Sequence, residues 1–294
     1  MFNMLRFTIM LTIAAAANCC LTAAQELLPN VLPPVVSGDT WAAAEIPPLI
    51  DPPLTVGPSE PHGRLVESAW SGRIDYFHWN ERLDGRDFVN EDGPLVTLGY
   101  VRRVGPERFR AELFGGSVGY GAEIEYHDGT TEPLSSHTNY MGLRGEYDLV
   151  YDPGWWPAAS LFAGVGTRFW FRDLPDETTP SGTTIWGYRE TWWTIYPYVG
   201  LETRGTPDDF DLEFFGSARI GCTAITYEHV SWNDVTLYPK MGITGQLELG
   251  LRGPRLFLSS YFEAMTWGES DEVRDSWQPR SAMLTVGLRA GFRF

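Results

Sequence analysis

Histidine beside carboxylate is the pairing that moves protons or holds metal ions near neutral pH. This chain of 294 residues sets His78, His127, His137 and His229 among Asp84, Asp87, Glu91, Asp92 and Glu228. A hydrolytic centre drawn from them would use His229 as base, with Glu228 or a loop aspartate such as Asp84 or Asp87 beside it. No metal-ligand spacing stands out, so neither a metal nor a cofactor is expected. Glu228 and His229 are adjacent, and in a strand adjacent side chains leave opposite faces. The expectation is solvated polar groups at strand ends rather than an assembled catalytic site.

What would position these groups is a series of strands. Ten segments alternate apolar and polar residues, at 64–79, 94–104, 107–126, 139–151, 158–172, 187–203, 209–226, 235–252, 255–267 and 277–294. In the eighth, Val235, Leu237, Pro239, Met241, Ile243, Gly245, Leu247, Leu249 and Leu251 alternate with Thr236, Tyr238, Lys240, Gly242, Thr244, Gln246, Glu248, Gly250 and Arg252. Such runs far exceed the roughly 5–6 residues usual in soluble sheets. The connections alternate too. Those at 105–106, 152–157, 204–208 and 253–254 are short and rich in Gly, Pro and Asp, whereas 80–93, 127–138, 173–186, 227–234 and 268–276 are longer and polar. No apolar run is long enough for a spanning helix, so a membrane form must be a closed barrel that satisfies every backbone group. The pattern predicts an all-β, closed antiparallel up-and-down transmembrane β-barrel of about ten strands over residues 64–294. Its short turns and both termini would be periplasmic and its longer loops external.

The chain ends support that address. Phe294 closes a run in which Phe292, Ala290, Leu288, Val286 and Leu284 share one parity. This run resembles the closing strand of bacterial outer-membrane barrels, which implies the barrel-assembly machinery as a partner acting on this strand and outer-membrane lipid as the surroundings. Residues 1–24 read as a secretory signal peptide, with Arg6 before an apolar stretch and Thr22, Ala23 and Ala24 before Gln25. Cys19 and Cys20 would suit a lipoprotein, but Asn18 occupies the position before Cys19 where a small residue belongs. Their removal leaves Cys222 as the one cysteine, which excludes an internal disulfide. Residues 25–63 form a Pro-rich leader, read as an extended periplasmic linker because proline at that density opposes helix and sheet. A net charge of −16 excludes a nucleic-acid partner recognised through phosphate.

With the apolar parity facing lipid, Met141, Leu143, Gly145, Tyr147, Leu149 and Tyr151 point outward. The same rule sends a charged set inward: Arg110, Glu112, Arg144, Glu146, Asp148, Arg168, Asp211, Glu213, Arg219, Lys240, Glu248, Glu263 and Arg289. Seven acids facing six bases in a narrow barrel should pair rather than line a single-signed channel. Ten strands also leave less room than the about 16–18 of water-filled porins. In the third segment Glu123 and Glu125 lie on the parity opposite to Arg110 and Glu112, which predicts a bulge near Gly115 and Gly116 or a strand that outgrows the bilayer. Trp155, Trp156, Trp170, Trp186, Trp192, Trp193, Trp232, Trp267 and Trp277 are read as interfacial anchors.

Tyr196-Pro197-Tyr198-Val199-Gly200-Leu201, followed by Asp209-Phe210-Asp211-Leu212, resembles a strand, turn and strand of the omptins, ten-stranded surface proteases. Omptins carry an Asp pair on one rim and an Asp-x-His pair on the other. Here the nearest equivalent, Glu228-His229, lacks the intervening residue, so the resemblance implies architecture and not proteolysis. The function expected is a non-enzymatic outer-membrane barrel acting as a narrow pore, an envelope-structural element or a surface-binding protein. The alternative is an omptin-like surface hydrolase working at the extracellular rim.

Overall fold

The computed structural model describes residues 66–83, 85–125, 130–153, 158–205 and 212–294. The predicted signal segment and leader, together with Asp84, His127, Trp155, Trp156 and Asp211, lie outside the described residues. All regular structure among those described is strand. β1 (Val66–Leu83), β2 (Arg86–Val104), β3 (Glu107–Glu125), β4 (Thr131–Tyr151) and β5 (Ala159–Leu174) are successive antiparallel neighbours. A small hairpin of β6 (Glu177–Thr178) and β7 (Thr184–Ile185) precedes β8 (Tyr188–Gly205), which returns beside β5. The seventh barrel strand is divided into β9 (Glu213–Cys222) and β10 (Ile225–Val230), and the eighth into β11 (Val235–Leu237) and β12 (Ile243–Arg252). β13 (Leu256–Trp267) and β14 (Arg280–Arg293) follow, and β14 pairs with β1 from Ala69 opposite Arg293 to Arg82 opposite Arg280. That last pairing closes a ten-stranded antiparallel barrel.

The barrel is inverted relative to a soluble protein. On its outer face Ile74 is 68% exposed, Leu143 57% and Leu288 62%, while inside Asp75 is 2% exposed and Asp148 0%. Water would not tolerate this distribution, because oily surface is left out and ionised groups are taken in. Hydrocarbon around the cylinder removes the first cost, and pairing inside it removes the second. Leu247→Arg, on this outer face of β12, is therefore expected to cost about 2–4 kcal/mol of folding free energy in a lipid-vesicle denaturant titration.

The strands run further than their alternation suggests. β1 continues to Leu83 and β2 resumes at Arg86, with Gly85 in the intervening turn at φ +78°; β4 begins at Thr131. Most of the loops expected at 80–93 and 127–138 is thus strand. Beyond the hydrocarbon both faces of a strand can be polar, so the period of two fades while the backbone ladder persists. The same fact settles β3. Phe114 and Val118 are buried on the parity of Glu112 and Glu123 is exposed on the other, so the strand outgrows the oily belt without the expected bulge.

The parity does switch in the eighth strand, where the alternation looked cleanest. Val235 and Leu237 are buried, yet so are Thr244, Gln246 and Glu248, which lie on the opposite parity. Between them Pro239 lacks the N–H that a ladder needs, and the regular ladder toward β13 gives way to a bridge between Lys240 and Gly268, with hydrogen bonds of 3.0 and 2.8 Å. The one-residue slip turns Lys240 outward, where it pairs with Asp271 at 2.8 Å. Its expected luminal position is corrected accordingly. The seventh strand slips near Pro197 of β8: Gly221 pairs with Tyr198, but Ile225 pairs with Ile195.

Close packing inside the barrel uses glycine as a recess. A Cβ on Gly166 would overlap the Tyr196 ring, whereas one on Gly145 would meet only Thr167 at an ordinary 3.7 Å. Gly166→Ala is expected to cost about 1–3 kcal/mol and Gly145→Ala no more than about 0.5 kcal/mol, as read from urea titrations in detergent micelles.

Candidate functional site

Three layers fill the lumen. At the long-loop end, β1, β2, β8 and β10 bring Glu81, Glu91, Glu190 and Glu228 around Arg172 of β5, and all five are buried. Arg172 donates to Glu190 at 2.8 Å, to Glu81 at 3.1 Å and to Glu91 at 2.9 Å. Thr138 and Tyr140 also donate to Glu91, the former at 3.0 Å. Same-face neighbours two residues away support the others: Trp79 Nε1 donates to Glu81 and Trp192 Nε1 to Glu190, each at 2.9 Å. Glu228 makes no ion pair among the described residues, and it faces Glu190 and Glu81 as well as Arg172. With the Gln278 amide turned to present its nitrogen, Gln278 donates to both Glu228 oxygens at 3.0 and 3.2 Å. Three carboxylates thus share one guanidinium, with the Glu228 carboxyl beside them.

Below this cluster lies an aromatic septum. Trp170 and Trp192 stack with centroids 5.3 Å apart and planes 12° apart. Trp79 meets Trp192 and Trp267 at 5.3 Å, and Trp267 meets Trp170 and Trp192 at 5.8 Å. Phe77, Tyr140, Met265 and Met283 belong to the same buried cluster. The four indoles come from β1, β5, β8 and β13, so they converge from several sides of the wall. Trp170, Trp192 and Trp267 are therefore not interfacial anchors. Trp193, stacked on Tyr227 at 5.4 Å on the outside, does have an anchor's position.

The third layer is a network of ion pairs centred on Arg144. It donates to Glu146 at 2.7 Å, to Tyr261 at 2.8 Å and to Gln246 at 3.3 Å, and it pairs with Glu263 at 2.9 Å. Arg168 reaches Glu263 at 3.2 Å and Arg219 reaches Glu146 at 2.7 Å. Arg289 bridges Glu112 at 2.7 Å and Glu248 at 3.0 Å, Arg110 approaches Glu146 at 3.4 Å, and Asp148 accepts from Arg108 at 2.6 Å. Of the charged residues read as luminal, Glu213 lies apart at the short-turn end, paired with Arg252 at 2.7 Å. Arg73, Asp75, Arg108 and Glu202 belong to the buried set but were missed. Strand parity was the available signal for Arg73 and Asp75, which flank Ile74.

Among the described residues, the candidate catalytic residues are not brought together. Glu228 points inward while His229 is on the outer face, 3.5 Å from the Thr236 hydroxyl and 3.8 Å from Asp234. Asp87 pairs with Arg82 at 3.0 Å on the exposed rim, and His78 and His137 occupy outer faces of β1 and β4. Among the described residues no group of three or more His, Cys, Asp or Glu is arranged to hold a metal ion. At the other end Phe292 faces outward and contacts Phe294, whose backbone exchanges hydrogen bonds of 2.9 and 3.3 Å with Ser68.

No family model and no curated protein matches the chain. Among solved structures, it is similar to the β domain of the Bordetella autotransporter BrkA, with 11% identity, 75% of this chain and 98% of that one covered, and a TM-score of 0.42. It is also similar to the outer membrane protease OmpT from Escherichia coli, with 10% identity, 78% and 96% covered, and a TM-score of 0.46. The translocator domain of the autotransporter NalP from Neisseria meningitidis aligns at 10% identity over 80% and 90%, with a TM-score of 0.40. These likenesses are too distant to carry function. Strand closure and the oily exterior make this chain a ten-stranded barrel of the outer-membrane type.

Proposed function

We propose that the protein resides in the bacterial outer membrane, long-loop end outward, as a shut barrel that serves the envelope as a structural and surface-presenting element rather than as a pore. The observation that carries this reading is the septum of Trp79, Trp170, Trp192 and Trp267, which fills the lumen between two charged layers. A conduit needs a continuous wet path, and apolar rings in mutual contact interrupt one. The outward Phe292 on the closing strand supports recognition by the barrel-assembly machinery. A rim hydrolase is disfavoured because Glu228 and His229 leave opposite faces of β10.

Liposomes carrying the purified barrel test this reading. Swelling in small sugars should match that of empty liposomes, and a mixed peptide library should stay uncut. Sugar entry would overturn the shut lumen. Peptide cleavage that disappears in a folded His229→Ala variant would replace the structural role with hydrolysis.

A further inference from the structure

We infer that the short-turn mouth of the barrel is a carboxylate-binding vestibule, and that its occupant is the acidic leader of the same chain. A cavity of about 170 Å3 opens there, lined by seven arginines, Arg103, Arg108, Arg110 and Arg204 among them, against three acids, Glu67, Glu202 and Glu248. Negative charge at this mouth is stretched thin. Glu202 accepts from Arg103 at 3.3 Å, from Arg204 at 3.0 Å and from Arg108, while Arg103 also reaches Asp152 at 3.3 Å and Arg108 reaches Asp148 at 2.6 Å. Arg108 Nη2 has no hydrogen-bond partner among the described residues. Arg110 is held only loosely, at 3.4 Å from Glu146 and 3.8 Å from Asp148. Guanidinium groups with donors to spare suit a planar carboxylate, which they can grip through two parallel hydrogen bonds.

The chain supplies that chemistry next to the cavity. Between Gln25 and Gly63 it carries Glu26, Asp39, Glu45, Asp51 and Glu60, with no lysine or arginine. This segment enters β1 at Val66, and Glu67 already lines the vestibule. Glu60 is seven residues before Glu67, a reach of up to roughly 23 Å in extended chain. The connection also makes the encounter intramolecular, so a weak contact suffices. The inference is independent of whether the lumen conducts.

Lys240 is the only lysine in the chain and sits at the opposite end of the barrel, paired with Asp271. An Arg204→Lys variant of the full chain therefore places a unique amine at the vestibule. Zero-length carbodiimide coupling followed by peptide mass spectrometry should join that amine to Asp51 or Glu60. Coupling confined to Glu67, Glu202 or Glu213 would overturn the inference. Inorganic phosphate gives a second readout, through the melting of the native chain and of a variant with all five leader acids changed to their amides. Phosphate should raise the melting temperature of the amide variant and leave that of the native chain almost unchanged. An equal rise in both would mean that free anions fill the vestibule, and no rise in either would mean that it binds none; both results overturn the leader as occupant.

Discussion

Arg172→Met is expected to destabilise the barrel by about 3–5 kcal/mol, because breaking a buried ion pair by removing one partner strands the other charge. Here the stranded partners are Glu81, Glu91 and Glu190, with Glu228 alongside. Methionine retains much of the side-chain volume, so the loss reports charge and not a cavity. Arg82→Met removes a guanidinium from the exposed pair with Asp87 and should change stability by about 0–1 kcal/mol. Adding Glu190→Gln and Glu228→Gln to Arg172→Met should recover part of the loss, since two of the four crowded carboxyl groups disappear. Urea titrations in detergent micelles compare all three. A loss with Arg172→Met no larger than that with Arg82→Met would mean that the outer cluster is open to water and needs no cation.

Trp192→Ala should cost about 3–5 kcal/mol, the usual range when a buried indole or phenyl is truncated to alanine. Trp192 touches Trp79, Trp170 and Trp267 and also donates to Glu190. Its removal both opens a cavity in the septum and takes a donor from the carboxylate cluster. The two effects share Glu190 with Arg172, so Trp192→Ala and Arg172→Met should be non-additive in a double-mutant cycle, with a coupling of about 0.5–3 kcal/mol. Trp192→Ala by itself should not create a channel, because the Arg144 layer beneath still fills the lumen. Additive losses would show that the septum and the cluster are energetically separate.

The barrel was legible because period-two alternation and short turns with Gly, Pro and Asp are local signals. In β4 the sequence alone separates Met141 and Leu143 from Arg144 and Glu146. Failures came where a second requirement overrode that rule. Pro239 breaks the backbone ladder of the eighth strand without breaking its apolar pattern, so Lys240 points outward. Trp170, Trp192 and Trp267 are apolar yet face inward, where they pack into an apolar core inside the barrel. Glu81 and Glu91 lie where the alternation fades, so they read as loop carboxylates although they converge on Arg172. Which acids meet which arginine across the barrel depends on closure and strand tilt, and neither leaves a local trace in the sequence.

Single-channel recording on the native chain in a planar bilayer tests the shut lumen most directly. After insertion is confirmed by protease protection of the strands, the current should stay at the bare-membrane baseline across applied voltage and in concentrated potassium chloride. A steady, stepwise conductance that scales with the number of inserted molecules would mean that water and ions pass the tryptophan septum, and would contradict the account.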